Sequence, residues 1–212
     1  MQIIDITGVI ESNMWHLGNP LSKVNFEEIG SIKKEGWVSH NLILSAISGT
    51  YLETGAHMIE GYRTIDEIVP KELFKKAVII KVKKKKPKEQ IELKEIKGIT
   101  IKKGDAVLLN TGWSSYWKKK EFVSESPYFT EECIDYLLSK KISLLGSDMT
   151  SFDKFEASYM IFLKKLFDSN VLILSPLINL DKIKKQRVDL IVFPLKLKGV
   201  SASPCRAMVI ER

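Results

Sequence analysis

Hydrophobic and polar positions alternate or run together in short blocks along most of the chain, and the blocks predict more strands than helices. "MQIIDITGVI" is short and β-branched, an opening strand. "MWHLGNPLSKV" is broken by Gly18, Asn19 and Pro20 and predicts a loop. "WVSHNLILSAISGTYLETGAHM" reads as extended, interrupted at Gly49 and Gly55. "TIDEIVPKELF" predicts two short turns, and "KAVIIKV" a strand apolar on both faces. "KGDAVLLNTGW" predicts a turn, a buried strand and a break at Gly112.

"FTEECIDYLLSKKI" carries the clearest helical period. Ile134, Leu137 and Leu138 form its apolar stripe, Thr130 sits at the N-cap position, and Glu131 and Glu132 occupy the first turn. "SLLGSDMTSFD" predicts a buried strand and a polar loop. "SYMIFLKKLFDSN" is a second helix and "VLILSPL" a further buried strand. "VDLIVFPLKLKG" and "RAMVIE" are the last two strands. Helices between strands allow a mixed α/β sheet.

The 212 residues suit a single domain spanning 1–212. Hydrophobic residues make up 44% and charged residues 28%, enough for a substantial core. No apolar run is long enough to span a bilayer, so no membrane partner is expected. "MQIIDITGVI" lacks the basic start and cleavage pattern of a signal peptide. Cys133 and Cys205 are far apart and have no metal-type spacing, which points to a reducing, cytoplasmic setting.

The net charge of +7 arises from 33 Lys and Arg against 26 Asp and Glu. Much of the excess lies in "KVKKKKPKEQIELKEIKG". A nucleic-acid patch would want stacking aromatics, and this stretch has none. It contains Pro87 and then Glu89, Glu92 and Glu95, so a solvated hairpin or loop is the expectation, with no nucleic acid as partner.

The chemistry concentrates in "SAISGTYLETGAHM". If this stretch is extended, Ile47, Gly49, Tyr51, Glu53, Gly55 and His57 share one face. A phenol, a carboxylate and an imidazole would then line one ridge, with the two glycines leaving room beside them. That is the material of a general base, its orienting partner and a hydrogen-bond donor. A half-exposed polar strand would look the same from spacing alone.

The motifs taken in order resemble a known family, the cyclase-like metal-dependent hydrolases, best known through the bacterial kynurenine formamidases. The family signature H-x-G-T-H-x-D-x-P-x-H falls on "ISGTYLETGAH". "MWHLGNP", "TIDE", "GDAVLLNTGW", "SPYFTEEC", "GSDMTSFD", "SPLINL" and "PLKLKGVSASPCR" follow the family's other segments at matching spacing. The resemblance implies an α/β fold with a mixed, curved, partly barrel-like sheet flanked by helices. It also implies a homodimer or homotetramer.

The resemblance further implies one or two divalent metals, zinc or manganese, held by five ligands. Those positions fall on Ile47, Tyr51, Glu53, Leu163 and Ser175, of which only Glu53 keeps a ligand of the same type. The last signature histidine, His57, serves the chemistry rather than the metal. The expectation is therefore no family-type metal site and no cofactor, because convergent N, O or S ligands are missing. A lone metal on Glu53 and His57 is the remaining metal option.

Catalytic roles are expected for His57, Glu53 and Tyr51. The substrate would touch Ile47, Leu163 and Ser175. Trp15 and His16 either wall the pocket or pack within their loop. Arg206 holds a carboxylate, either of the substrate or of the chain. Asp148, Ser151 and Asp153 are polar pocket residues or turn formers, Trp113, Tyr116 and Trp117 pack in the core or at an interface, and His40 is surface. The function expected is hydrolysis of a small amide, formamide or lactone, or a related lyase or cyclase step. The alternative is a non-catalytic protein that binds a small molecule on the same fold.

Overall fold

The computed structural model describes residues 1–155 and 159–212. Its strands are β1 (Gln2–Asp5), β2 (Asn25–Ile29), β3 (Ser39–Ile43), β4 (Tyr51–Glu53), β5 (Phe74–Lys81), β6 (Gln90–Ile91), β7 (Ala106–Asn110), β8 (Tyr128–Phe129), β9 (Leu144–Ser147), β10 (Leu172–Ser175), β11 (Arg187–Pro194) and β12 (Ala202–Glu211). Seven of them close into a barrel-like ring in the order β12-β11-β5-β7-β9-β10-β4, and β4 returns to β12. β5, β7, β9 and β10 run parallel to one another, and the remaining pairs are antiparallel. β12 carries β4 at 202–204 and β1 at 208–211. The fold is the mixed, curved α/β sheet that the sequence resemblance implies.

Period-two alternation divides the barrel strands between two apolar layers. Ala77, Ile79, Ala106, Leu108, Leu174, Leu190 and Val209 fill one cluster to which every barrel strand contributes, so it is the interior. Gly146 belongs to that face, where a Cβ would stand 2.6 Å from Leu108 Cδ2 and 3.0 Å from the Leu174 carbonyl oxygen. Val78, Ile80, Val107, Leu109, Leu145 and Ile173 point outward against Ile134, Leu137, Leu166 and Phe167. Those partners belong to the Glu131–Ser139 and Ile161–Asp168 helices. The first starts as expected after Thr130, although the Thr130 hydroxyl makes no capping hydrogen bond. The predicted start of the second at position 158 lies outside the described residues.

Two local expectations change. The stretch 37–58 is not one extended segment. β3 pairs with β2 in a separate hairpin, β4 is only three residues long, and Gly55–His57 is a 3-10 turn. The lysine run is not wholly solvated either. Lys85 is buried, and its Nζ donates to Glu95 Oε2 (2.7 Å) and the Gln90 carbonyl (2.8 Å). Lys83, Lys84 and Lys86 around it are exposed.

Candidate active site

β4 is held at both ends by threonines. Thr50 Oγ1 donates to the Pro176 carbonyl (2.6 Å) and accepts the Gly8 N–H (3.0 Å). Thr54 Oγ1 donates to the Ser201 carbonyl (3.1 Å) and accepts the Ala56 N–H (3.3 Å), capping the 3-10 turn that follows. Leu52 enters the barrel interior, so Tyr51 and Glu53 face outward. Register places Tyr51 opposite Ser175 and Glu53 opposite Ile173 on β10.

The 3-10 turn folds His57 back over Glu53, with Nδ1 3.2 Å from Oε1. The pair therefore forms by a turn rather than by the shared strand face that simple alternation implies. Gly49 and Gly55 do not make room for a ligand. A Cβ on Gly55 would lie 2.8 Å from the Tyr62 ring, and one on Gly49 2.5 Å from Ile10 Cγ1. The space beside them is filled by the chain itself.

Tyr51, Glu53 and His57 open into a cavity of about 370 Å³, which Ile47, Leu163 and Ser175 also line. The turn at Ile47, β4, the Ile161–Asp168 helix and β10 thus bring together the five positions onto which the resemblance maps the metal ligands. Asp153 sets the far wall, its two carboxylate oxygens accepting the Phe162 N–H (2.8 Å) and Leu163 N–H (3.0 Å) at the start of the helix that carries Leu163. Ser175 Oγ donates to the Met149 carbonyl. The Tyr51 hydroxyl has no hydrogen-bond partner among the described residues.

Burial dominates the electrostatics. Glu53 is 3% exposed, and desolvation pushes its carboxyl up to about 8. Desolvation lowers the His57 imidazole. Burial first, and then the charge of Glu53, raises the Tyr51 phenol well above its ordinary value. Both members of the Glu53–His57 contact are thus driven toward their neutral forms.

Three expected residues lie elsewhere. Trp15 packs edge-on against Trp117, with ring centroids 5.1 Å apart, and lines a different groove together with His16. His16 Nδ1 accepts the Gly18 N–H (3.2 Å), which is loop geometry. Arg206 is exposed, and its Nε donates to Asp5 Oδ2 (2.8 Å), so the carboxylate it holds is internal. Trp113 and Trp117 are core, and Tyr116 packs partly buried against them, its ring stacked on Trp113 at 4.2 Å. Ser151 and Asp153 line the cavity, while Asp148 is a turn former. His40 is exposed on the hairpin.

Sequence reasoning missed Leu17 and Leu21, which reach the cavity from the loop where His16 was expected, and Phe152, Phe155 and Met160. The apolar residues flanking Gly18–Pro20 were the available signal.

The donor set does not fit the family's metals. Glu53 and His57 are the ligand-type groups at these positions, and both Asp153 oxygens are taken by helix N–H groups. Among the described residues, no three His, Cys, Asp or Glu side chains are grouped to hold an ion. Nor is any described helix long and apolar enough to cross a membrane.

A family model described as "Putative cyclase" matches residues 4–154. A kynurenine formamidase of Bacillus cereus is 27% identical over 209 residues, covering 97% of this chain and 96% of the relative. An isatin hydrolase of Roseibium aggregatum is 26% identical, covering 99% and 92%. The solved structure of an isatin hydrolase bound to the product analogue thioisatinate superposes with a TM-score of 0.88 at 26% identity, over 100% of this chain and 93% of that one. A predicted metal-dependent hydrolase from Bacillus stearothermophilus shares the fold, with a TM-score of 0.83 at 24% identity.

Proposed function

The chain belongs to the cyclase family of hydrolases, and on that premise we propose that it hydrolyses a small aryl formamide, cyclic aryl amide or lactone without a bound metal, using His57 and Glu53 as an acid–base pair. The observation that carries this is the 3.2 Å contact between a buried carboxyl and an imidazole that both face one cavity. A formamidase and an isatin hydrolase among the relatives support the substrate class. The apolar lining from Ile47, Leu163 and Ile173 suits a flat aromatic body.

The proton inventory sets the mechanism. With two protons on the pair it is neutral, Glu53 Oε1–H donating to His57 Nδ1 and the ring proton residing on Nε2. Base catalysis needs one proton fewer. Nδ1–H then donates to the Glu53 carboxylate, and Nε2 offers its lone pair to water. The water oxygen attacks the carbonyl carbon as its proton passes to Nε2, and the Tyr51 O–H donates to the developing oxyanion. The same Nε2 proton next moves to the departing nitrogen or oxygen, and the acyl–heteroatom bond breaks.

Because burial holds Glu53 near 8, kcat/KM should rise with pH and level off near that value. The test is turnover of isatin and of N-aryl formamides across pH 6 to 9 by metal-free protein, with elemental analysis alongside. A rate that tracks bound zinc or manganese instead would remove the metal-free step.

A second reading rests on the replacement of two ligand positions by Ile47 and Leu163. These make the former ligand cavity drier, which suits a protein that only binds an aromatic molecule. Thermal stabilisation by such compounds with no turnover at any pH would favour it.

A further inference from the structure

Three lysine-rich segments lie far apart in the chain, at 81–88, 118–120 and 182–185. The fold brings one residue from each, Lys84, Lys118 and Lys182, around a single groove of about 600 Å³. None of its lining residues belongs to the His57 cavity. The groove opens where parallel strands end. Lys84 follows β5, and Asn110 is the last residue of β7. The carboxyl ends of parallel strands are where α/β folds present loop side chains to ligands.

The charges are not neutralised locally. Lys84 and Lys182 have no carboxylate partner among the described residues, and Lys118 is loosely shared with Glu11 at 3.7 Å. Asp181 is the opposing carboxylate in the groove. Amines gathered at one opening repel each other, and an anion placed between them relieves that repulsion.

An independent observation comes from the floor. Asn110 is only 8% exposed and lines the groove. Its Oδ1 accepts the Gly112 N–H (3.0 Å), which orients the amide. Its Nδ2 has no partner among the described residues. That donor is not sealed from solvent, so water at the groove can satisfy it and a ligand oxygen can take that water's place. Val9, Trp117 and Ile178 supply an apolar wall beside it.

We propose that this groove binds a small phosphorylated molecule carrying at least two negative charges. Lys84, Lys118, Lys182 and the Asn110 amide hold its phosphate oxygens, and its apolar body rests on Val9 and Trp117. The recess is not a flat basic face, and its one lining aromatic among the described residues, Trp117, can meet one apolar body but not a run of successive bases, so a small molecule fits better than a nucleic acid.

The test is calorimetric titration of the intact protein with adenosine triphosphate and with inorganic tripolyphosphate at about 0.15 M salt. Both should bind, the nucleotide several-fold more tightly. Lys84→Glu with Lys182→Glu should weaken both at least about tenfold. Lys33→Glu with Lys34→Glu changes the net charge equally on the distant hairpin and should leave both unchanged. Asn110→Asp, nearly isosteric, should also weaken both, and its fold is checked by circular dichroism. Equal losses in the hairpin control would show unspecific attraction and overturn the proposal. So would no heat from either probe, or tight binding confined to nucleic acid with a steep salt dependence.

Discussion

Glu53 and Asp148 are almost equally buried, 3% and 0% exposed, yet their surroundings differ completely. Asp148 accepts from the Thr111 N–H (2.9 Å), the Thr111 hydroxyl (2.7 Å) and the Ser114 N–H (3.3 Å). Burial pushes its carboxyl up, and those donors offset part of that rise. Glu53 has His57 alone, and burial acts on it unopposed. A carboxylate ringed by donors is a brace for a turn. One buried beside a single imidazole, at the floor of a cavity, holds a proton that can be moved.

The largest effects should separate the two on activity. With an aryl formamide or isatin as substrate, Glu53→Gln and His57→Ala should each lower kcat/KM roughly a hundredfold or more. The double variant should be little worse, because coupled groups act as a unit. Asp148→Asn should leave kcat/KM per folded molecule within about threefold. Loss of activity on Asp148→Asn without loss of fold would erase the distinction.

On stability the two changes should have opposite signs. Asp148→Asn turns an acceptor into a donor facing an N–H, and should cost about 1–3 kcal/mol. Glu53→Gln should stabilise, increasingly so at higher pH. Glu53 binds its proton more tightly in the folded chain, with the carboxyl raised from 4.5 to about 8. Folding therefore takes up a proton within that window. Below 4.5 both states are protonated and nothing is lost. As pH rises through the window toward 8, wild-type stability falls, by at most about 5 kcal/mol. Denaturant melts of both proteins from pH 4 to 9 measure it, and a constant gap across the range would refute the raised carboxyl.

These contrasts show what the chain revealed on its own. Continuous apolar runs such as "KAVIIKV" marked β5 and β7 as buried strands, because both faces of these strands are covered. Alternation put Tyr51, Glu53 and His57 in one place, but for the wrong local reason, since a threonine-capped turn and not an extended strand returns His57 to Glu53. The pairing of Tyr51 with Ser175 is a contact between residues more than a hundred positions apart, and only the family resemblance hinted at it. Gly55 exists for Tyr62 and Lys85 for Glu95, and no local pattern announces a partner that arrives from elsewhere in the fold.

A third carboxylate completes the comparison at its weak end. Asp5 is half in solvent, and Arg206 reaches it from β12 through Nε at 2.8 Å. The Thr7 N–H also donates to Asp5 Oδ1 at 3.0 Å. Arg206 itself is mostly exposed, so water competes for the guanidinium and salt screens the pair. Removing it strands no buried charge, because Asp5 keeps the Thr7 donor and its access to water. Arg206→Ala should therefore cost less than about 1 kcal/mol, and less still in high salt. Since Arg206 does not line the His57 cavity, KM for any substrate bound there should be unchanged. Denaturant titration at low and high salt, with KM measured on the same preparation, tests both halves. A raised KM with unaltered stability would return Arg206 to the substrate and require the cavity to extend to β12.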